Sequence, residues 1–504
     1  MNTRTLAAVA VLVAAQSAHA QQTPLDGFDA YAAKAMADWR VPGMAIAIVK
    51  DDQVVFSKGF GVRELGKPEP VTEHTRFGIM STTKAFTTML LAMLADSGAL
   101  SLDDHVSKHL PTLQFSDPYV TREATVRDLV THRIGFADPG YLWAESGLTF
   151  AQLYDRVRLV PAQTSFRSHY AYNNVSYALA GEVAARAGKS SWQSLTSARI
   201  FTPLGMSESF ADAALMLAAG TNDVSAPHGI VRDTVRRLPV APGVVDNVAP
   251  AGATFSNVVD MAKWMRFLLD SGRVNGKRLV SAARFNELWT PQTVIPQPDF
   301  YPTTTLTKPH FTAYGLGWFL EDYRGEFVVF HTGSIEGRTA IVGLLPERRL
   351  GIVIFTNLDH SEVRHALMYT VFDRYIGAEA KPHDWSAELR AMYKTFSDSA
   401  LARQKRADEK RVLGTRPSLP LDKYTGAYAD PLYGNATVRM ADGKLTITVG
   451  TSSGTLEHWH YDIFRATWDD SFNSPALVSF VLDADGAVGE VRLPGSPLRY
   501  RRTK

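Results

Sequence analysis

Strand-like apolar segments lie on either side of a long stretch with helical spacing. Residues 42–62 predict a β-hairpin with Asp51 and Asp52 in its turn, and residues 325–357 contain three more strand-like runs. Between them, apolar residues recur with helical spacing at 79–98, 126–136, 174–187 and 257–271. This order predicts an α/β fold: an antiparallel sheet flanked by helices, with an inserted helical region, in which the first and last strands come together.

The pattern changes after this region. Residues 385–413 are charged and rich in alanine, which predicts a linker helix that ends before Gly414, Pro417 and Pro420. Residues 421–502 are rich in β-forming residues and contain turn signals. They predict a small all-β C-terminal domain with a barrel-like form.

Composition narrows the class of protein. The chain has 504 residues, which is enough for one large and one small domain, or for two to three ordinary ones. Its net charge of +2 gives no indication of a nucleic-acid partner. It has no cysteine, which excludes disulfides, cysteine nucleophiles and thiolate metal sites. We predict no metal site and no cofactor.

The first twenty residues have the pattern of a signal peptide. Arg4 precedes an apolar run from Leu6 to Ala15, and Ala18-His19-Ala20 fits a small-x-small cleavage site. The run is too short to span a bilayer, and no later segment has an uninterrupted apolar stretch of spanning length. We therefore predict cleavage after Ala20, export, a periplasmic location and no integral membrane segment in the mature protein.

A lysine in an apolar segment is the first candidate for chemistry. Lys84 is the only ionisable side chain between Arg76 and Asp96, and it lies three residues after Ser81. On a helix this spacing places the amine beside the hydroxyl, where a base can activate a serine nucleophile. A buried amine also loses hydration, which lowers its pKa. The alternative is that Ser81 caps the helix while Lys84 extends to solvent.

Two further segments carry groups suited to acyl transfer. Tyr172 and Asn174 form a Y-x-N, which supplies a proton relay and an amide that can orient a substrate. Taken alone, this pair is better explained as a common Tyr-Asn loop in which Tyr172 is a packed aromatic residue. His331, Thr332 and Gly333, followed by Ser334, end a predicted strand; here glycine allows close approach and histidine offers a hydrogen-bonding or positive group. The alternative is a surface histidine at a strand end.

The three segments occur in the order S-x-x-K, Y-x-N, H-T-G. Together with stretches such as VPGMAIAIVKDDQVVFSKGFGV and YNNVSYALAGEVAARAG, they resemble the serine β-lactamase-like superfamily. The resemblance is to its class C β-lactamases, DD-peptidases, D-aminopeptidases and related esterases, and it covers roughly residues 27–375. It implies a serine hydrolase domain with the β-lactamase/transpeptidase-like fold.

The resemblance also implies roles. Ser81 would be the acylated nucleophile, Lys84 its base partner and Tyr172 a second proton-transfer group. The residues implied in substrate binding are Asn174, His331, Thr332 and Gly333, and the backbone N–H groups of Ser81 and Ser334 would form the oxyanion hole. Many members have lysine where this chain has His331. We expect a partly protonated histidine to bind a substrate carboxylate less firmly, which makes efficient β-lactam hydrolysis less favourable.

These observations predict an exported hydrolase that forms an acyl-enzyme on Ser81. Residues 421–502 resemble the lipocalin-like C-terminal domain of some D-amino-acid-specific serine peptidases, which favours a peptidase or amidase, with D-residue peptides among its candidate substrates. A carboxylesterase with the same catalytic set is one alternative, and a non-catalytic peptidoglycan- or ligand-binding protein is another. We expect β-lactamase activity to be weak or absent. The partner is a small peptide, amide or ester, and a homo-oligomer stays open.

Two other motifs are rejected. Residues 450–454 match G-x-S-x-G, but strand-like residues follow where a nucleophile elbow needs a helix. His458 and His460 alternate onto one strand face without a visible third metal ligand.

Overall fold

The computed structural model describes residues 23–144, 146–377, 383–470 and 473–503. The predicted signal peptide lies outside the described residues. Each helix in the described part of the chain is too short or too polar to cross a membrane.

An antiparallel sheet organises the larger part of the chain, as predicted, and this sheet has eight strands. The hairpin Gly43–Lys50 and Gln53–Gly61 has its turn at Asp51 and Asp52. Its first strand pairs with Leu350–Thr356, so the first and last strands of the sheet lie side by side. In spatial order the strands are Gln53–Gly61, Gly43–Lys50, Leu350–Thr356, Arg338–Leu345, Glu326–Ile335, Phe319–Tyr323, Thr312–Tyr314 and Thr293–Val294.

Both faces of this sheet are covered. Along Gly43–Lys50, Ala45, Ala47 and Val49 pack into one apolar core, while Met44, Ile46 and Ile48 pack into another. The alternation follows from the two-residue period of a strand. A strand buried on both faces is apolar throughout, which explains why this segment lacks the polar alternation of a half-exposed strand.

Helices supply the two covering layers. Lys84–Asp96 and Val258–Leu269 contribute to the core on one face, and Phe28–Asp38 and Val363–Ile376 contribute to the core on the other. The remaining α-helices are Val106–His109, Pro118–Glu123, Val126–Val130, Phe150–Arg156, Asn174–Gly188, Trp192–Thr196, Thr202–Leu204, Ala213–Ala218, Ala249–Gly252, Ala282–Leu288, Thr304–Thr307 and Trp385–Asp408.

Short elements connect these helices and strands and precede the C-terminal strands. The 3₁₀ turns are Met80–Thr83, Gly140–Leu142, Val157–Leu159, Asp246–Val248, Gln297–Asp299, Pro346–Arg348 and Leu421–Tyr424, and Ser197–Phe201 is a π-helical turn. Three two-stranded pairs are Phe77–Gly78 with Phe255–Ser256, His228–Val231 with Thr234–Arg237, and Arg273–Val274 with Lys277–Arg278.

The C-terminal part is a closed eight-stranded antiparallel barrel, in which each strand pairs with its neighbours in sequence and the last pairs with the first. This confirms the predicted barrel-like all-β domain. Its strands are Gly426–Asp430, Gly434–Ala441, Lys444–Val449, Ser452–His460, Ile463–Trp468, Ala476–Leu482, Val488–Arg492 and Arg499–Arg502. Closure leaves no free sheet edge.

The barrel also contains the two motifs that the sequence analysis rejected. Gly450 and Thr451 lie in the turn of a hairpin, and Ser452 begins the next strand, so no helix follows the serine. His458 and His460 are each bonded to backbone atoms, those of Tyr461 and Val412.

Two predicted helices differ from the observed ones. The segment 126–136 is helical only over Val126–Val130, because His132 adopts the left-handed backbone conformation (φ 57°). The segment 79–98 begins as a 3₁₀ turn and becomes α-helical at Lys84.

We predict that the helix Lys84–Asp96 is stabilised by packing on all sides. Leu90→Ala, at a fully buried position, should lower the free energy of unfolding by about 2–5 kcal/mol, because the cavity cannot fully collapse. Leu217→Ala, at a position that is 59% exposed, is the control and should change it by less than about 0.5 kcal/mol. Urea unfolding followed by circular dichroism measures both. Equal losses would show that the helix is not a core element.

Candidate active site

A tight turn presents Ser81. The 3₁₀ turn Met80–Thr83 joins the short strand Phe77–Gly78 to the helix that begins at Lys84. Side chains three residues apart are nearly eclipsed in a 3₁₀ turn, so Ser81 and Lys84 lie on the same side. The Lys84 Nζ is 3.0 Å from the Ser81 Oγ. This confirms the predicted contact, although the turn that makes it is 3₁₀ and not α-helical.

Gly333 lets the central strand approach this turn. A Cβ atom added at Gly333 would lie 2.9 Å from the backbone nitrogen of Ser81 and 2.8 Å from the Met80 Cβ. Both distances are too short for a side chain to be accommodated without moving the backbone. The strand Glu326–Ile335 can therefore lie against the serine only with glycine at this position.

Lys84 is fully buried and its amine has three polar neighbours. Besides the Ser81 hydroxyl, it donates to the Asn174 Oδ1 at 2.6 Å and to the Ala251 carbonyl oxygen at 3.0 Å. It also lies over the ring of Tyr172, with Nζ 4.7 Å from the ring centre. Burial lowers the pKa of Lys84 to about 7, while the charge of Asp138 acts in the opposite direction.

These contacts determine what a neutral Lys84 can do. The Asn174 and Ala251 oxygens can only accept, so they take the two N–H bonds that a neutral amine has. The remaining electron pair then faces the Ser81 hydroxyl, which donates to it. At neutral pH a large fraction of Lys84 is in this form, and it is oriented to remove the proton from Ser81.

The pKa of Tyr172 is shifted in the opposite direction to that of Lys84. Burial raises the pKa of Tyr172 well above its usual value, although a hydrogen bond with Ser81 acts against this. Its phenol therefore stays protonated at neutral pH. The hydroxyl can donate a proton near Ser81, whereas the phenolate is too unfavourable to act as the base.

Asp138 is a site residue that the sequence analysis missed. Its carboxylate accepts from the backbone N–H of Asn174 at 3.0 Å, from the Asn174 Nδ2 at 2.8 Å and from the Trp143 Nε1 at 2.9 Å. These bonds orient the Asn174 side chain so that its oxygen faces Lys84. Asp138 precedes a Pro-Gly pair, which signals only a turn, and nothing in the sequence connects it with Asn174.

A cavity of about 400 Å³ opens at Ser81. It is lined by Ser81, Tyr170, Tyr172, Asn174, Asp299, Phe300, Tyr301, Phe319, Thr332, Ser334, His360, Glu362 and Arg364. Five of these, Ser81, Tyr172, Asn174, Thr332 and Ser334, are residues that the sequence analysis selected. The structure thus brings the three separate sequence segments together around one cavity large enough for a small substrate.

His331 differs from its expected role. It is buried and does not line the cavity. Its Nδ1 is 2.6 Å from the Thr332 carbonyl oxygen, and its Nε2 is 2.9 Å from the Tyr314 hydroxyl. Burial, reinforced by the charge of Lys84, lowers the pKa of His331 to about 3. The expected partial protonation is therefore wrong: this histidine is neutral and bonded within the protein, because the strand directs its side chain away from the cavity.

The neighbouring residues of this strand do reach the cavity. The Thr332 Oγ1 is 2.5 Å from the Tyr301 hydroxyl. The Ser334 Oγ accepts from Arg364 at 2.7 Å, and the same guanidinium donates to the Gly333 carbonyl oxygen at 2.6 Å. Arg364 thus holds the end of the strand whose Ser334 N–H is predicted to contribute to the oxyanion hole.

A serine hydroxyl that faces the electron pair of a buried amine, at the mouth of a cavity, has the chemistry of a serine hydrolase. The family model described as Beta-lactamase matches residues 28–372, and the chain belongs to this family. This confirms the resemblance found in the sequence. Residues 410–502 match a separate domain of unknown function, DUF3471.

Curated relatives include hydrolases. The unguisins hydrolase ungD of Aspergillus violaceofuscus is 29% identical over 490 residues, covering 88% of this chain and 83% of its own length. The protein flp of Staphylococcus aureus is 26% identical over 331 residues, covering 64% of this chain and 61% of its own.

Solved structures share the fold over nearly the whole length. The octameric penicillin-binding protein homologue from Pyrococcus abyssi has a TM-score of 0.60 at 21% identity, covering 94% of this chain and 99% of its own. A structure of SurE with D-Leu has a TM-score of 0.54 at 20% identity, covering 95% and 99%.

In the part of the chain that the structure describes, no group of three or more His, Asp or Glu side chains is arranged to hold a metal ion.

We predict that activity depends on the free amine of Lys84. Because the neutral form increases as pH rises through the pKa of Lys84, kcat/KM should rise with a midpoint near pH 7. Lys84→Arg remains charged and should lower kcat/KM by about 10²–10⁴-fold. Initial rates with a neutral ester measure both, and circular dichroism checks the fold of the variant. A profile that is flat from about pH 5 to about pH 9 would contradict this role.

We predict that Asp138 acts through Asn174 and Lys84. Asp138→Asn leaves buried donors without an acceptor and should lower kcat/KM at least about tenfold. It also removes the negative charge that raises the pKa of Lys84, so the midpoint of the pH profile should move to lower pH. Asp155→Asn, at an exposed position outside the cavity, is the control. An unchanged midpoint would leave Asp138 with a structural role only.

Proposed function

We propose that this protein is an exported serine peptidase or amidase that cleaves amide bonds of small peptides through an acyl-enzyme on Ser81. The observation that carries the proposal is the set of hydrogen bonds around the Lys84 amine. Two of its three polar neighbours are carbonyl oxygens, and the third is the Ser81 hydroxyl. Its pKa of about 7 makes it an effective base near neutral pH.

In the first half of the proposed reaction, Ser81 is acylated. Its Oγ forms a bond to the substrate carbonyl carbon while Lys84 takes the hydroxyl proton. The backbone N–H groups of Ser81 and Ser334 stabilise the negative oxygen that develops. The carbon–nitrogen bond then breaks. Tyr172 donates a proton to the leaving nitrogen and recovers one from the Lys84 ammonium.

In the second half, the product amine has left and water hydrolyses the acyl-enzyme. Lys84, again neutral, removes a proton from the water as its oxygen attacks the acyl carbon. The bond to the Ser81 Oγ breaks, and that oxygen takes back a proton. The balance is hydrolysis of one amide to a carboxylic acid and an amine, with the enzyme unchanged.

Several observations support an amide substrate. One relative is named a hydrolase of unguisins, and a structural neighbour holds D-leucine. The C-terminal barrel also supports this choice, since its sequence resembles the extra domain of D-specific peptidases.

The buried, neutral His331 supports weak or absent β-lactamase activity, because it cannot form an ion pair with a substrate carboxylate. Carboxylesterase activity with the same residues is the second candidate.

Covalent labelling tests the nucleophile. A fluorophosphonate should label the protein at Ser81, and Ser81→Ala should not be labelled. Ser452→Ala removes the serine of the G-x-S-x-G match and is the matched control, which should be labelled like the natural protein. Mass spectrometry of the labelled peptide identifies the site. The natural protein remaining unlabelled would favour the non-catalytic binding protein.

Turnover then separates the two hydrolase classes. We expect hydrolysis of amino-acid amides, with the D and L forms compared at equal concentration. Short p-nitrophenyl esters provide the reference reaction. Hydrolysis of the esters without any amide, in either stereochemical form, would replace the peptidase by a carboxylesterase.

A further inference from the structure

The charged residues around the cavity fall into two groups. Arg364 and Glu362 form a buried ion pair, with the Arg364 Nη2 2.7 Å from the Glu362 Oε1. His360 is bonded to Asp359 at 2.7 Å, which raises the pKa of that histidine. These charges cancel within each pair. Asp299 stands apart from them.

Asp299 is an exposed residue on the cavity wall. Among the described residues no side chain or backbone N–H forms a hydrogen bond or ion pair with its carboxylate. Of the charged groups that line the cavity, this carboxylate is the one without an opposite charge beside it in the described part of the chain. That carboxylate lies in the same cavity as Ser81.

The local fold keeps this carboxylate at the cavity. Asp299 ends the 3₁₀ turn Gln297–Asp299, and its own backbone N–H donates to the Pro296 carbonyl oxygen at 2.8 Å. The next residue, Phe300, is buried against Phe319 and Phe330. The buried Phe300 side chain therefore fixes the turn to the protein. The Asp299 side chain remains exposed at the cavity.

Aromatic rings surround the same part of the cavity. Tyr170, Phe300 and Tyr301 line it beside Asp299. Asp299 is near enough to contribute to the raised pKa of Tyr170, although burial and then Tyr172, Tyr301 and Tyr177 contribute more. A carboxylate next to aromatic rings attracts an organic cation through both ion pairing and the ring faces.

We propose that Asp299 binds the ammonium group of the substrate, so that the enzyme prefers substrates with a free amine over N-acylated ones. This inference rests on the proposed serine hydrolase function and adds the substrate class to it. It assigns Asp299 to specificity and gives it no part in proton transfer, which Lys84 and Tyr172 perform.

Matched esters test the proposal whether the enzyme is a peptidase or an esterase. Alanine methyl ester carries an ammonium group at pH 7, because an α-amino group has a pKa of about 8, and N-acetylalanine methyl ester is neutral. Both are measured in the D and L forms by pH-stat. We expect the natural protein to have the higher kcat/KM for the free amine.

Variants then assign the preference to one side chain. In Asp299→Asn, the ratio of kcat/KM for the amine to kcat/KM for the acetylated ester should fall about three- to tenfold, mainly through KM. Asp299→Glu keeps the charge and should retain much of the ratio. Glu69→Gln, at an exposed position outside the cavity, removes one negative charge and should leave the ratio unchanged.

Salt provides an independent check. The ratio for the natural protein should decrease as NaCl is added, since screening weakens an exposed ion pair, and the ratio for Asp299→Asn should be less sensitive. An equal ratio in the natural protein and Asp299→Asn would overturn the proposal while fluorophosphonate labelling of Ser81 persists. Loss of labelling would instead overturn the hydrolase function itself.

Discussion

The burial of the Lys84 amine is the constraint on which the site depends. Lys84 has no exposed surface, and lowering its pKa from 10.5 to about 7 destabilises the folded protein at pH 7 by about 4 kcal/mol. The sign follows from the direction of the shift: the unfavourable contribution decreases as pH rises from the folded pKa towards the unfolded one. A fold that retains such a residue must offset this elsewhere, and the extensive apolar cores on both sheet faces do so.

The pKa values of two titratable groups next to Ser81 are shifted in opposite directions: that of Lys84 is lowered towards 7, and that of Tyr172 is raised. Burial disfavours the charged form of each, and the charged forms differ: ammonium for Lys84 and phenolate for Tyr172. The same physical effect therefore produces a base and a proton donor side by side. Under the proposed mechanism this separation assigns the acid and base roles without any further charged group.

The barrel packs against the part of the chain that follows Asp138. The Tyr141 ring packs edge to face against Tyr433 of the barrel, and Arg156 donates to the Leu432 carbonyl oxygen at 3.1 Å. Tyr141 lies three residues after Asp138, which orients Asn174. The C-terminal domain thus packs against the segment that supports the Lys84 environment, a contact through which it can stabilise the catalytic geometry.

The sequence by itself determined the layers and the reactive pair. Local periodicity predicted the terminal hairpin, the central strands and the barrel, and the spacing of Ser81 and Lys84 predicted their contact, because each depends on near neighbours in the chain. Only the tertiary structure decided that Asp138 supports Asn174, that His331 faces the interior and that Asp299 faces the cavity. Those outcomes depend on which distant segments pack together and which way a strand turns its side chains, and no local pattern encodes either.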